Sequence, residues 1–249
     1  MKKTLTILSV ALITLISFKA KAQDADDKSI VKSYIGIFGG ASLPTSNFSE
    51  GDYQNYSSGF AKNGVTIGFT GAYYFFKGFA IAGTFSYQDQ GELNANDVQN
   101  LSNGYNISYD KDVTTVIAVN RYHNFNLLLG PQYSFNSFIF KNLGLDLGAS
   151  IGVIKSTSTP SFTMYFDNST DVNTAIHQLS SESKAFAYSG SIGLRYPLGD
   201  KWDVVLRGSY IGSSGLAIGN GNNPTPEGRY VTSIPITEVQ TTLGISLKL

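Results

Sequence analysis

His123 and His177 are the only imidazoles in the chain and the first candidates for acid–base chemistry. Hydrolysis of a lipid or a peptide needs such a base beside a nucleophile or an activated water. No Gly-x-Ser-x-Gly or His-Glu-x-x-His spacing surrounds either histidine, so His123 reads as a polar residue at the outer start of a strand and His177 as a solvated loop residue. Asp167-Asn168-Ser169-Thr170-Asp171 offers oxygen ligands of the kind calcium takes, but it lacks the spacing and the glycine of an EF-hand loop and reads as a polar turn. Gly219-Asn220-Gly221 runs into Asn222, Asn223 and Pro224 with no helix start, which leaves nothing to cradle a phosphate. The Asn-x-Ser/Thr sites at Asn47, Asn55, Asn100, Asn106 and Asn168 mark polar loops. No catalytic residue, metal site or cofactor is expected.

A more specific pattern is a set of charges on the small-residue faces of alternating segments: Asp146, Arg195, Asp203, Arg207, Glu238 and Lys248. Such charges are costly in lipid and tolerable inside a barrel when paired, which predicts a structural ion-pair network, with an ion or proton path as the alternative. The turn Pro197–Lys201 is centred on residue 199, so Arg195 should face Asp203. The loop 157–183, centred near 170, should bring Asp146 beside the same guanidinium, with Arg207 close by.

The elements that would position these charges follow from composition and period. The 249 residues carry 18 basic and 18 acidic side chains, but Lys2, Lys3, Lys19 and Lys21 lie in an export segment, leaving 14 basic against 18 acidic. That balance argues against nucleic acid, which requires a basic surface. Only 14% of residues are charged, against about 25% in soluble domains, while Tyr and Phe number 15 and 16 and Cys is absent. Disordered, disulfide-stapled, coiled-coil and thiolate-metal proteins are thereby excluded. Met1-Lys2-Lys3, an apolar run to Phe18 and Ala20-Lys21-Ala22 make a secretory signal peptide with cleavage after Ala22. Residues 23–32 read as a short solvated periplasmic leader and 33–249 as one domain.

From Ser33 onward the period is two, the mark of strands with unlike faces. In 236–249, Val239, Thr241, Leu243, Ile245, Leu247 and Leu249 oppose Glu238, Gln240, Thr242, Gly244, Ser246 and Lys248. Similar splits occur near 202–210, 185–196, 143–153 and 124–135; segments 79–90, 65–75 and 34–41 complete eight, their parity obscured by glycine and aromatic residues on both faces. Bulky apolar residues against Gly, Ala and Ser suit a narrow barrel facing lipid, whereas a soluble sandwich or lipocalin would turn the large side chains inward. Short connections (77–78, 136–142, 197–201) alternate with long ones (42–62, 91–121, 157–183, 214–235), the pattern of short periplasmic turns and long external loops. Tyr73, Phe75, Phe79, Phe135, Phe138, Tyr196 and Trp202 crowd the short turns and predict an aromatic girdle at the headgroup level. The fold class is all-β: an eight-stranded antiparallel up-and-down transmembrane barrel, whose interior is too narrow for a broad diffusion channel.

With these strands and the glycine-rich start Tyr34-Ile35-Gly36-Ile37-Phe38-Gly39-Gly40-Ala41-Ser42-Leu43-Pro44, the chain resembles the small porin-like outer-membrane β-barrel proteins of the Bacteroidetes, related in architecture to the OmpA barrel. The last strand resembles the signal read by the outer-membrane assembly machinery, although it ends on Leu249 where an aromatic residue is commonest. The resemblance implies outer-membrane lipid and the assembly machinery as partners, with a ligand or protein met through the external loops. It implies a non-enzymatic structural or surface-interaction role; an accessory part in transport or secretion and a lipid-modifying or proteolytic barrel enzyme are the alternatives.

Overall fold

The computed structural model describes residues 31–109, 113–136, 142–166, 176–219 and 231–249. The segment 1–22 and the leader to residue 30 lie outside the described residues. Eight long strands carry the period-two pattern: β1 (Tyr34–Pro44), β2 (Lys62–Phe76), β3 (Phe79–Gly91), β5 (His123–Phe135), β6 (Gly144–Ser158), β9 (Ser183–Pro197), β10 (Trp202–Ser213) and β13 (Thr237–Lys248). They close in the order β1-β13-β10-β9-β6-β5-β3-β2, with every neighbouring pair antiparallel. Closure removes the unpaired edges that an open sheet would present.

The two faces separate as the alternation requires. Leu127, Ile151, Ile192, Leu243 and Ile245 point outward and are exposed, whereas Asn126, Gln132, Asp146, Gln240 and Ser246 are buried in the lumen. Leu145 departs from the exposure of its face; it sits in register between Phe135 and Leu194 and is buried. In the first three strands the even-numbered positions turn inward, among them Tyr34, Ser42, Thr66, Ala72, Ala80, Ser86 and Gln88. Phe38 shares that face because its register partners are Gly68 and Gly244. A Cβ on either glycine would come within 2.9–3.0 Å of Phe38, so the missing side chains are what admit the ring.

The connections read from sequence as long loops carry secondary structure of their own. A short helix α1 (Ser46–Ser49) and a helix α2 (Ala95–Tyr109) occupy the first two, β4 (Val113–Val119) pairs with β7 (Ser161–Phe166) and β7 with β8 (Ile176–Gln178), and β11 (Leu216–Ala217) pairs with β12 (Ser233–Ile234). α2 starts on a reciprocal cap, Asn94 N–H to Asp97 Oδ2 at 2.9 Å and Asp97 N–H to Asn94 Oδ1 at 3.0 Å. Its buried positions Asp97, Leu101 and Tyr105 recur every fourth residue, the spacing of one helical face.

Candidate functional site

The lumen is built in layers from the short-turn end upward. Towards that end lie Asp146 and Arg195, both under a tenth exposed, with the Arg195 guanidinium donating to Asp146 Oδ1 at 2.7 Å. Ser134 donates to the same oxygen at 2.6 Å; Tyr74, Gln132 and Tyr34 extend the chain of hydrogen bonds across the barrel. Asp203 is not opposite Arg195. Its register partner is Pro197, while Arg195 faces Val205, two residues away from the symmetric arrangement. The turn is asymmetric, with the Leu198 N–H bonded to the Trp202 carbonyl at 2.8 Å and Gly199 at φ +86°. Asp203 instead pairs with Lys248 at 3.2 Å, and Lys248 also donates to the Gly199 carbonyl. Arg207 lies close to Asp146, in the same register row on the other side of Gly193, and donates to Thr70 Oγ1 and the Tyr34 hydroxyl, each at 3.1 Å.

Higher up, Glu238 is fully buried and accepts from Ser42 at 2.7 Å, Gln240 at 2.9 Å, Gln90 at 3.0 Å and Gln88. Four neutral donors satisfy this carboxylate where no cation pairs with it among the described residues. Sequence alone placed Glu238 in the lumen but gave no partner, because Gln88 and Gln90 reach it from a strand three places around the barrel.

An apolar plug closes the long-loop end. Inward-facing Leu128, Ile154, Ala185, Ala187 and Ile211 of the wall meet Phe48, Tyr122, Leu216, Ile218, Val231 and Ile234 from the loops in one buried cluster. Phe48 and Tyr122 pack edge to face with centroids 4.9 Å apart, and the Tyr122 hydroxyl donates to the Gly59 carbonyl at 2.9 Å. Beside the plug, Tyr53 and Phe60, Leu101 and Tyr105 of α2, and Phe162 and Met164 of β7 form a second core. The loops thus fold into a crown held by two cores.

Charges on the outer wall begin where its apolar band ends. Arg121 bonds Asp89 at 2.6 Å and Glu92 at 3.0 Å; hydrogen bonding to Asp89, reinforced by its charge, pushes the guanidinium up from its ordinary value. His123 Nε2 accepts from Arg121 Nε at 3.2 Å and lies 3.4 Å from Asp89 Oδ1, so its neighbours are a guanidinium and a carboxylate. His177 lies in β8 opposite Thr163, and residues 167–171 and 220–224 lie outside the described residues. Lys155 pairs with Glu182 at 2.7 Å; that hydrogen bond holds the Glu182 carboxyl below the ordinary glutamate value. At the other rim Tyr73, Phe75, Phe79, Tyr196 and Trp202 are exposed on the outer wall, and Phe79, Tyr133 and Phe135 form a run of edge-to-face contacts at 4.6 and 4.7 Å. Phe138 lies outside the described residues.

Among solved structures, the fold is similar to Neisserial surface protein A (10% identity, 87% of this chain and 97% of that one covered, TM-score 0.49). It is also similar to the attachment invasion locus protein Ail of Yersinia pestis, solved with the heparin analogue sucrose octasulfate (10%, 88% and 98%, 0.40). A major outer membrane protein of Thermus thermophilus is a third such structure (12%, 87% and 99%, 0.41). No curated protein matches the sequence. Residues 8–229 match the outer membrane protein beta-barrel domain, which spans most of the chain: this protein belongs to that family of outer-membrane β-barrels.

Proposed function

We propose that this outer-membrane barrel is a non-enzymatic surface protein whose folded external crown meets a ligand or protein partner or shields the cell surface. The observation that carries this reading is the pair of buried cores in the loops. Chain that served only to link strands would have no need to bury Phe48, Leu101, Tyr105 and Met164, whereas a recognition surface benefits from a rigid base. The plug in the mouth of the lumen argues in the same direction, since a narrow barrel stopped by packed apolar side chains does not suit diffusion. His123, set between Arg121 and Asp89, fits a rim polar residue better than a general base.

In this reading the short turns face the periplasm and the crown faces outward. The Asp146–Arg195 and Asp203–Lys248 pairs serve the stability of the lumen, and the exposed rings at the short turns anchor the barrel at the inner headgroup level. In the same reading Met1–Ala22 directs export and is removed, β13 presents the assembly signal, and the glycine-rich start of β1 supports kinship with the Bacteroidetes group.

Replacing residues 92–121 and 159–182 by short turns tests the proposal. Insertion is read from the difference in migration between unboiled and boiled samples, and surface binding or surface protection is read on cells. The proposal expects insertion to survive and the surface phenotype to go. A phenotype that persists without the crown, or a steady conductance of the intact protein in planar bilayers, would place the function in the barrel wall and favour transport or secretion.

A further inference from the structure

Polar groups without partners gather on one side of the lumen, beneath the apolar plug. Gln88, Gln90, Asn124 and Asn126 are at most 1% exposed, and the side-chain oxygen of each has no hydrogen-bond partner among the described residues. The same holds for Asn124 Nδ2 and Thr66 Oγ1. These groups are neighbours. Thr66, Gln88 and Asn124 stand side by side on β2, β3 and β5 in one register row, with Cβ atoms of opposite partners about 5 Å apart, and Gln90 and Asn126 take the next inward positions on β3 and β5.

Two of these amides also hold the buried Glu238. Gln88 and Gln90 donate their nitrogens to its carboxylate, and Gln90 passes over Gly64, where a Cβ would come within 2.7 Å of the Gln90 side-chain oxygen. Each amide therefore presents nitrogen to the carboxylate and oxygen away from it, which carries the negative potential onward to the oxygens. No cation offsets that charge among the described residues. Lys62, two residues before Gly64 on β2, gives its ammonium to Asp97 at 2.6 Å. Arg207 is in register with Thr242, four residues along β13 from Glu238, a separation of about 13 Å at the usual strand rise.

We propose that a single alkali cation of sodium size binds on this side of the lumen, held by the side-chain oxygens of Gln88, Gln90, Asn124 and Thr66, with Glu238 as its counter-charge relayed through the glutamine amides. A water molecule brings only two protons to a group of acceptor oxygens and leaves the carboxylate charge in place, whereas a hard cation is bound by oxygen lone pairs alone. One positive charge matches one carboxylate. Calcium or magnesium would add a second charge that nothing in this layer balances. The plug above, with Phe48 and Tyr122 at its centre, separates the oxygens from bulk water, so the ion and not the solvent satisfies them.

The full chain in detergent provides the test. Thermal unfolding, read from the unboiled band, is compared in sodium chloride and choline chloride at equal ionic strength. The wild type should unfold at a higher temperature in sodium, with a saturable dependence. Glu238→Gln, which removes the counter-charge and none of the ligands, should abolish that dependence. Asn124→Ala should raise the half-saturating concentration about tenfold, as expected when a charge loses one polar partner. A crystal structure of the protein in sodium chloride should place an atom about 2.3–2.6 Å from the Gln88 and Asn124 side-chain oxygens, the range of hard cations, whereas a water would stand at about 2.8 Å. Indifference of the wild type to the choice of cation, an unchanged dependence in Asn124→Ala, or an atom at water distances in that place would each overturn the proposal. Asn124→Ala keeps the test decisive should Glu238→Gln fail to fold.

Discussion

Asp146 Oδ1 receives two short hydrogen bonds at once, 2.7 Å from Arg195 and 2.6 Å from Ser134, inside a layer that water barely reaches. Removing the guanidinium leaves a carboxylate buried without its counter-charge. Arg195→Ala should therefore destabilise the barrel by roughly 3–5 kcal/mol. A double-mutant cycle in urea should give a clear coupling energy for Arg195 with Asp146 and a much smaller one for Arg195 with Asp203, whose bonded partner is Lys248. Coupling concentrated on Asp203 would show that the β9–β10 register is wrong.

The outer wall makes the second prediction. Leu127 and Ile151 are 62% and 61% exposed, and both lie near the middle of their strands. Replacing either with Arg should cost about 2–4 kcal/mol at the bilayer midplane. Unfolding from lipid vesicles measures it, with Asn63→Arg near the long-loop rim as the mild control. A penalty at Asn63 equal to that at Leu127 would contradict a lipid-facing band between the rims.

Helix α2 depends on its cap. Asp97 holds the Asn94 N–H and also pairs with Lys62 at 2.6 Å, tying the helix to the start of β2. Asp97→Ala should cost roughly 0.5–2 kcal/mol of local stability and leave the barrel intact. Limited proteolysis should then cut between residues 92 and 109 at lower protease concentration, while the unboiled band stays in place.

Acid should loosen the crown through Glu182. Its carboxyl is held below the ordinary value by Lys155, so the bond contributes fully above the unfolded glutamate range and is lost as pH falls through the lowered folded value. Proteolysis or amide exchange around 180–184 should rise on acidification in the wild type. The same change should be absent from Glu182→Gln, which lacks the bond at every pH.

The parts of this structure that could be read from sequence are those in which one side-chain period acts alone. In β13, Val239, Leu243 and Ile245 alternate with Gln240, Gly244 and Ser246, the Thr241–Thr242 pair fits either face, and the exposure of the strand follows that period. In β1 the alternation breaks at Phe38, and what turns that ring inward is Gly68 on one neighbouring strand and Gly244 on the other, a fact of pairing that no local pattern contains. The Asp146–Arg195 contact could be placed because the two residues lie across adjacent strands and a long side chain forgives a small slip in register. Arg195 with Asp203 could not, because the turn after Pro197 closes asymmetrically. The cap at Asn94 and Asp97 and the β-branched run in Val113–Val119 are local signals for α2 and β4, but they lie within 91–121, which the period-two pattern marks only as a long connection.

The seam between β1 and β13 joins the strands most distant in the chain, with a register running from Tyr34 against Lys248 to Pro44 against Glu238. It is fastened at one rim by Thr45 N–H to the Thr237 carbonyl and Thr237 Oγ1 to the Thr45 carbonyl, at 2.8 and 2.7 Å, and at the other by Leu249 N–H to the Ser33 carbonyl at 2.8 Å. Contacts of such sequence separation form late, because a large loop must be closed before any of them is gained. Ser33 and Leu249 nevertheless finish side by side. A circular permutant joining them through a short linker, opened at the Leu198–Lys201 turn, would convert the most distant pairing in the barrel into a hairpin and move the rate-limiting closure to β9 and β10.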